Sequence, residues 1–403
     1  MEKINLSEIR TRLGLLAVFR ELLDDTVIAA LCRYLELLEK EDEKAAAWAY
    51  AQFVSDLYVV NGGELGQHIS SLCDNSANIY VRMIGSGITP SEHLRRCVDE
   101  DICTLQAVAE LTPQQLHAPL SRLGFWPEFG CGGVDLAASF AHRVENIGKY
   151  GYGLYAGHHM FYVDEDGAII PVKNPDTITL DQLVDYESER AQIVHNTRAL
   201  LEGLPAANIL LTGDAGTGKS STVKAVGNAL FGEGLRIIEV RKDQLRVIPR
   251  LLDELANNPL KFVLFIDDLS FLRDDDNFNA LKAVLEGSVS ARSKNVVIYA
   301  TSNRRHLIKE KFSDREGDDI HRNDTMQELV SLSERFGLHV SFSKPNKATY
   351  LHMVRHFVEE SELQLDDKEL ELLAERFALE RGGRSARLAR QFVDALISSN
   401  GCK

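Results

Sequence analysis

The chain has 403 residues, 44% of them apolar and 26% charged, with a formal net charge of −15. Such a length supplies two or three domains with cores of their own, and the balance is that of a globular protein. No apolar stretch approaches the roughly 20 residues of a membrane-spanning helix, and the acidic balance disfavours non-specific nucleic-acid binding, which needs a cationic footprint.

The first residues carry acids rather than an apolar secretory segment. Six cysteines (Cys32, Cys73, Cys97, Cys103, Cys131 and Cys402) are scattered without C-x-x-C pairing. Together these features lead us to expect a reduced, cytoplasmic protein without a membrane segment. Cys97 and Cys103 are expected in the core.

To residue 175 the sequence reads as mostly helical. Leu13, Leu16, Phe19 and Leu23 predict one helical face, and Val27, Leu31, Tyr34, Leu35 and Leu38 a second. Residues 43–60 are strong helix formers whose alanine and aromatic content reads as core, and Gly62 with Gly63 ends them. Further helices are expected near 64–84, 91–110 and 134–149. A hairpin is expected at 157–172, where Asp164 to Gly167 separates two short apolar runs. The proline-bearing segment 171–181 reads as a linker. His158 and His159 lack acids or thiols at ligand spacing and read as a strand-edge pair rather than a metal site.

From residue 176 the pattern changes to strands alternating with helices. Strands are expected at 208–212, 236–240, 262–267, 295–301 and 338–342. Short continuous apolar strands separated by helices predict a parallel sheet covered on both faces. After Pro345 the chain is helical again, with Tyr350, Val354, Phe357 and Val358 on one face and Leu388, Phe392 and Leu396 on another. The expected organisation is therefore a helical domain at 1–175, an α/β domain at 176–344 and a helical cap at 345–403.

Residues 213–220 read Gly213, Asp214, Ala215, Gly216, Thr217, Gly218, Lys219 and Ser220, a full G-x-x-x-x-G-K-S/T phosphate-binding loop. Asn208 to Leu211 before it reads as a buried strand. Ser221 to Phe231 after it reads as a helix, with Val223, Val226 and Leu230 at helical spacing. The glycines permit positive φ and close backbone approach, so N–H groups converge on phosphate oxygens at a helix N-terminus. Lys219 would reach the β- and γ-phosphates, and the Ser220 hydroxyl would ligate Mg²⁺.

Phe262 to Asp268 reads as an apolar strand ending in two acids. Asp267 is expected at its carboxyl end, where ligands bind in open parallel sheets, and would hold the Mg²⁺ shell. Asp268 would serve as general base for an attacking water, or would orient it. The next strand ends in Thr301, Ser302 and Asn303, whose polar side chains could bond that water or the γ-phosphate. Arg335, just before the last strand, could offer positive charge to the nucleotide of a neighbouring subunit. Arg387 or Arg384, at the opening of the final helix, could touch phosphate from the cap.

This order of motifs resembles the AAA+ ATPase superfamily, and more closely a bacterial AAA+ family catalogued only as a domain of unknown function. The resemblance covers residues 176–403. It is carried by Tyr186 and Glu187 with Asn196 and Thr197, by residues 213–221, 266–271, 281–287 and 300–306, and by Ser331 to Gly337. It implies an AAA+ P-loop fold with a five-stranded parallel sheet and a C-terminal helical lid. It also implies ATP as ligand, Asn303 as sensor 1, Arg335 as arginine finger, Arg387 as sensor 2, residues 180–187 at the adenine, and a homo-oligomeric ring.

Two departures stand out. Asp268 occupies a position where most of the superfamily has Glu, and a displacement of about 1 Å there can cost on the order of 10²-fold in rate. Arg241 to Arg250 lacks the aromatic-apolar-Gly signature of peptide-threading pores. Residues 304–330 form a polar insertion. The expected activity is ATP hydrolysis coupled to a partner protein engaged by the N-terminal domain. An ATP-gated scaffold with slow turnover and an initiator-like nucleic-acid ATPase remain the alternatives.

Overall fold

The computed structural model describes residues 5–123, 125–270, 276–286, 294–303, 334–361 and 366–400. The insertion 304–330, Arg304, Arg305, Ser331, Phe271, Gly287 and Cys402 lie outside the described residues. The chain divides into two compact units, one ending at Gly157 and the other beginning at His158.

The first unit is helical, built on Leu6–Gly14, Thr26–Glu39, Glu43–Asn61, Leu65–Asn75, Ile79–Gly85, Glu92–Ala109 and Leu136–Glu145 with shorter turns between them. Leu13, Leu31, Tyr50, Phe53 and Leu105 are fully buried in its core. Several local expectations are corrected here. The face drawn through residues 13–23 is not one helix. Its helix stops at Gly14, and the N–H groups of Ala17, Val18 and Phe19 turn to the buried carboxylate of Asp101, at 3.1, 2.7 and 3.0 Å. A buried carboxylate needs such donors. The segment 64–84 splits in two because Asn78 caps a new helix by accepting from the Val81 N–H. Cys97 and Cys103 are exposed, because the helix Glu92–Ala109 buries Val98, Ile102, Leu105 and Val108 on its other side. The helix Glu43–Asn61 buries Tyr50, Phe53 and Leu57, while Trp48 and Val59 on its outer face are each 83% exposed.

Among the described residues, the second unit is a seven-stranded sheet with helices. Its strands are β1 (Met160–Val163), β2 (Ile169–Pro171), β3 (Ile209–Gly213), β4 (Leu235–Glu239), β5 (Lys261–Ile266), β6 (Val296–Ser302) and β7 (Leu338–Phe342). Their order is β2-β1-β4-β5-β6-β3-β7. The five expected strands, β3 to β7, pair in parallel, and β5 and β6 are buried nearly throughout, as a sheet covered on both faces requires. The unit is thus a parallel α/β fold in which the glycine-rich turn follows β3. The hairpin expected at 157–172 forms, but it belongs to this unit. β1 pairs in parallel with β4, and β2 closes the edge in antiparallel fashion. The compact units therefore divide at 157/158, not at 175.

The segment read as a linker is also packed structure. Asn228, on the helix Lys219–Leu230, donates to the carbonyls of Asp176 and Ile178 at 2.8 and 2.7 Å. Beyond β7, the helices Lys347–Glu360, Asp367–Glu380 and Ala386–Asn400 form a lid with a small core around Tyr350, Val354, Ala374 and Phe392.

The helix Glu187–Leu201 is fastened to the sheet by a buried polar network. Asn196 donates to the Tyr299 hydroxyl at 3.1 Å and to the Ala207 carbonyl at 2.8 Å, and Thr197 bonds the same hydroxyl at 2.8 Å. Burial raises the Tyr299 phenol above its ordinary value, so it stays neutral. Asn196 and Thr197, part of the family-like pattern, thus act on the fold. Tyr299→Phe should cost about 1–3 kcal/mol by leaving these partners unpaired, read as a lower melting temperature, and should leave nucleotide affinity unchanged.

Candidate functional site

β3 runs into the glycine-rich turn, and the turn opens the helix Lys219–Leu230. Gly213, Gly216 and Gly218 have φ of 143°, 78° and 92°, conformations that side chains rarely adopt. At Gly213 a Cβ would also lie 2.1 Å from the Phe342 carbonyl oxygen on β7. The Thr217 hydroxyl donates to the Asp214 carbonyl at 2.9 Å and holds the turn from inside. Lys219 is only 5% exposed. Its ammonium donates to the carbonyls of Gly213 and Asp214, both at 2.8 Å, and to Asn303 Oδ1 at 3.0 Å. Burial lowers its affinity for the proton, while Asp267, Asp214 and Asp268 pull in the opposite direction.

The acidic strand end lies against this turn. Asp267 Oδ1 accepts from the Ser220 hydroxyl at 2.6 Å, from the Thr301 hydroxyl at 2.5 Å and from the Asp268 N–H at 3.1 Å. Asp268 follows with φ of 51°, a left-handed turn at a residue other than glycine. Its carboxylate accepts from Asn303 Nδ2 at 2.7 Å. Asn303 thus bridges the Lys219 ammonium and the Asp268 carboxylate. The residues fit a hydrated divalent cation: a hydroxyl that gives its proton to a carboxylate keeps lone pairs for the metal, and the carboxylate can receive the metal's waters.

These side chains line a cleft of about 1050 Å³. One wall is the segment Gln182 to Tyr186, inside the range expected near an adenine. Tyr186 packs on Phe342 at 5.2 Å and donates to the Ser343 carbonyl at 2.6 Å. Asp185 and Tyr186 both have φ of 61°. The opposite wall is the lid, whose Arg387 N–H donates to the Gly216 carbonyl at 3.2 Å. Arg387 lines the cleft. Arg384 does not: it is held by both oxygens of Glu375, at 2.9 and 2.6 Å. Of these two arginines, Arg387 is the one that lines the cleft.

Arg335 is not among the residues lining its own chain's cleft. It pairs with Glu286 at 2.5 Å, at the end of the helix Asp276–Glu286. Sequence reasoning missed Arg190 and Arg390, which do line the cleft. Arg390 stands three residues beyond Arg387, a spacing that places it on the same face. It pairs with Glu360 at 3.0 Å and lies over the Phe357 ring at 5.1 Å. Arg190 has no such signal, since its place depends on the turn at Asp185 and Tyr186.

The backbone at Asp268 gives a direct check. Asp268→Ala and Asp268→Gly both remove the carboxylate, but only glycine accepts positive φ without strain. Asp268→Gly should be more stable than Asp268→Ala by about 1 kcal/mol, a difference of about 2–4 °C in melting temperature.

A family model described as "Protein of unknown function (DUF815)" matches residues 156–400, more than half of the chain, and the chain belongs to that family. No curated protein matches it. Among solved structures it is similar to the RuvB Holliday junction branch migration motor of Thermotoga maritima, at 16% identity and a TM-score of 0.37, covering 53% of this chain and 62% of that one. A mutant of the same motor matches at 15% identity and a TM-score of 0.37, covering 53% and 63%. The chain thus spans less than two thirds of the length of these structures.

Proposed function

We propose that this member of the DUF815 family binds ATP with Mg²⁺ in the cleft and hydrolyses it to ADP and phosphate, coupling nucleotide state to remodelling or assembly of a partner protein. One observation carries the reading. A phosphate loop, two strand-end carboxylates, a bridging asparagine and a lid arginine meet around one cleft. The N–H groups of residues 213–221 and the Lys219 ammonium would hold the phosphates. Ser220 and Asp267 would hold the cation, which would neutralise charge on the phosphates. Asp268 would take the proton of the attacking water and Asn303 would orient that water, while Arg387 would report nucleotide state to the lid. In the same reading Arg335 acts on the nucleotide of a neighbouring copy in a ring, the first unit engages the partner protein, and the protein works in the cytoplasm.

A second reading is a scaffold that binds ATP, assembles and hardly turns over. The observation favouring it is the Asn303–Asp268 bond, which occupies the carboxylate in the left-handed turn.

Steady-state phosphate release tests the proposal. Wild type should turn over only with Mg²⁺, and Lys219→Ala should be inactive. Asp268→Asn should bind ATP and lose on the order of 10²–10⁴ in rate, as expected for removal of a general base. Arg335→Ala should be inactive alone and regain activity when mixed with Lys219→Ala. ATP-dependent assembly with no phosphate release supports the scaffold instead, and failure of the mixture to recover removes Arg335 from its role.

A further inference from the structure

Thr301 is 2% exposed and sits near the end of β6, beside β5. It makes three bonds to the turn that follows β5. Its hydroxyl donates to Asp267 Oδ1 at 2.5 Å and accepts the Asp268 N–H at 2.9 Å, and its carbonyl accepts the Leu269 N–H at 2.7 Å. One residue therefore fastens three consecutive residues of the neighbouring strand end. The middle one, Asp268, has φ of 51°, which disfavours any residue with a Cβ and which Asp tolerates better than most. Such a turn persists only when its surroundings over-determine it. The two N–H acceptors on Thr301 do so. With the turn held, the Asp268 carboxylate reaches Asn303 rather than pointing along the strand.

We infer that Thr301 is a positioning residue of this site: through its hydroxyl and carbonyl it locks the left-handed turn at Asp268 and orients the Asp267 carboxylate toward Ser220. This assignment rests on the ATP-and-Mg²⁺ reading of the cleft. It also gives a physical reason for Asp at position 268. A turn locked in the left-handed region suits Asp or Asn better than Glu, so the shorter acid follows from the backbone that Thr301 imposes. Thr301 touches no substrate in this role. It acts through the two acids.

The test uses the full-length protein and a fluorescent ATP analogue, titrated with Mg²⁺ and again in a chelator. Thr301→Val keeps the shape and removes the hydroxyl, and Thr301→Ser keeps the hydroxyl. Removing a bond to a charged group should weaken the Mg²⁺-dependent part of nucleotide affinity about tenfold or more in Thr301→Val, while affinity in chelator stays within about twofold because the phosphate loop is intact. Thr301→Ser should behave as wild type. Thr301→Ala replaces Thr301→Val if circular dichroism shows the latter unfolded, and the same loss is expected. Unchanged Mg²⁺ dependence in the hydroxyl-free variant overturns the assignment. So does an equal loss in Thr301→Ser, which would make the methyl group the functional part, and so does an equal loss in chelator. Wild-type protein that binds the analogue without any Mg²⁺ effect, or not at all, overturns the ATP-and-Mg²⁺ reading itself.

Discussion

One oxygen atom organises the site. Asp267 Oδ1 draws together the Ser220 hydroxyl from the phosphate-loop helix, the Thr301 hydroxyl from β6 and the N–H of the next residue. Bonds of this kind to an ionised carboxylate are roughly twice as strong as neutral ones. This convergence ties the glycine turn to the acidic strand end, and every role assigned in the cleft depends on it. The sheet makes it possible: β6 lies between β3, which delivers the phosphate loop, and β5, which delivers the acids. Thr301 near the end of β6 and Asn303 just beyond it serve the two sides. Thr301 holds the acids, and Asn303 spans from Asp268 to Lys219.

Much of this was legible in the sequence because it rests on local rules. A glycine-rich octet between an apolar strand and a helix has few alternative structures, and an apolar strand ending in acids is bounded by its own composition. The lid followed from helical spacing. What escaped notice was decided by partners distant in sequence. The break after Gly14 depends on Asp101. The segment 171–181 looked like a linker because its partner, Asn228, is a single polar residue on a helix whose spacing says nothing about what it holds. The hairpin at 157–172 was predicted as an element, but its pairing with β4 is a tertiary choice. Cys97 and Cys103 were misplaced by residue type, which says less than position on a helix face. The left-handed turn at Asp268 had no sequence signal beyond Asp itself.

The two acids show why a motif and its geometry are separate questions. On the sequence, Asp268 departs from the superfamily pattern by one methylene. In the structure the residue sits in a left-handed turn and its carboxylate is engaged by Asn303. A substitution at this position therefore acts on the backbone conformation as well as on the reach of the carboxylate.

The central claim is that a triphosphate and its magnesium ion lie between the glycine turn and the Asp267 carboxylate. The most direct measurement is an experimental structure of the protein with Mg²⁺ and a non-hydrolysable ATP analogue. The account predicts the phosphates against the N–H groups of residues 213–220, the Lys219 ammonium moved from the Gly213 and Asp214 carbonyls onto phosphate, and the cation on the Ser220 hydroxyl beside Asp267. Nucleotide bound elsewhere, or a cation remote from Ser220 and Asp267, would contradict it.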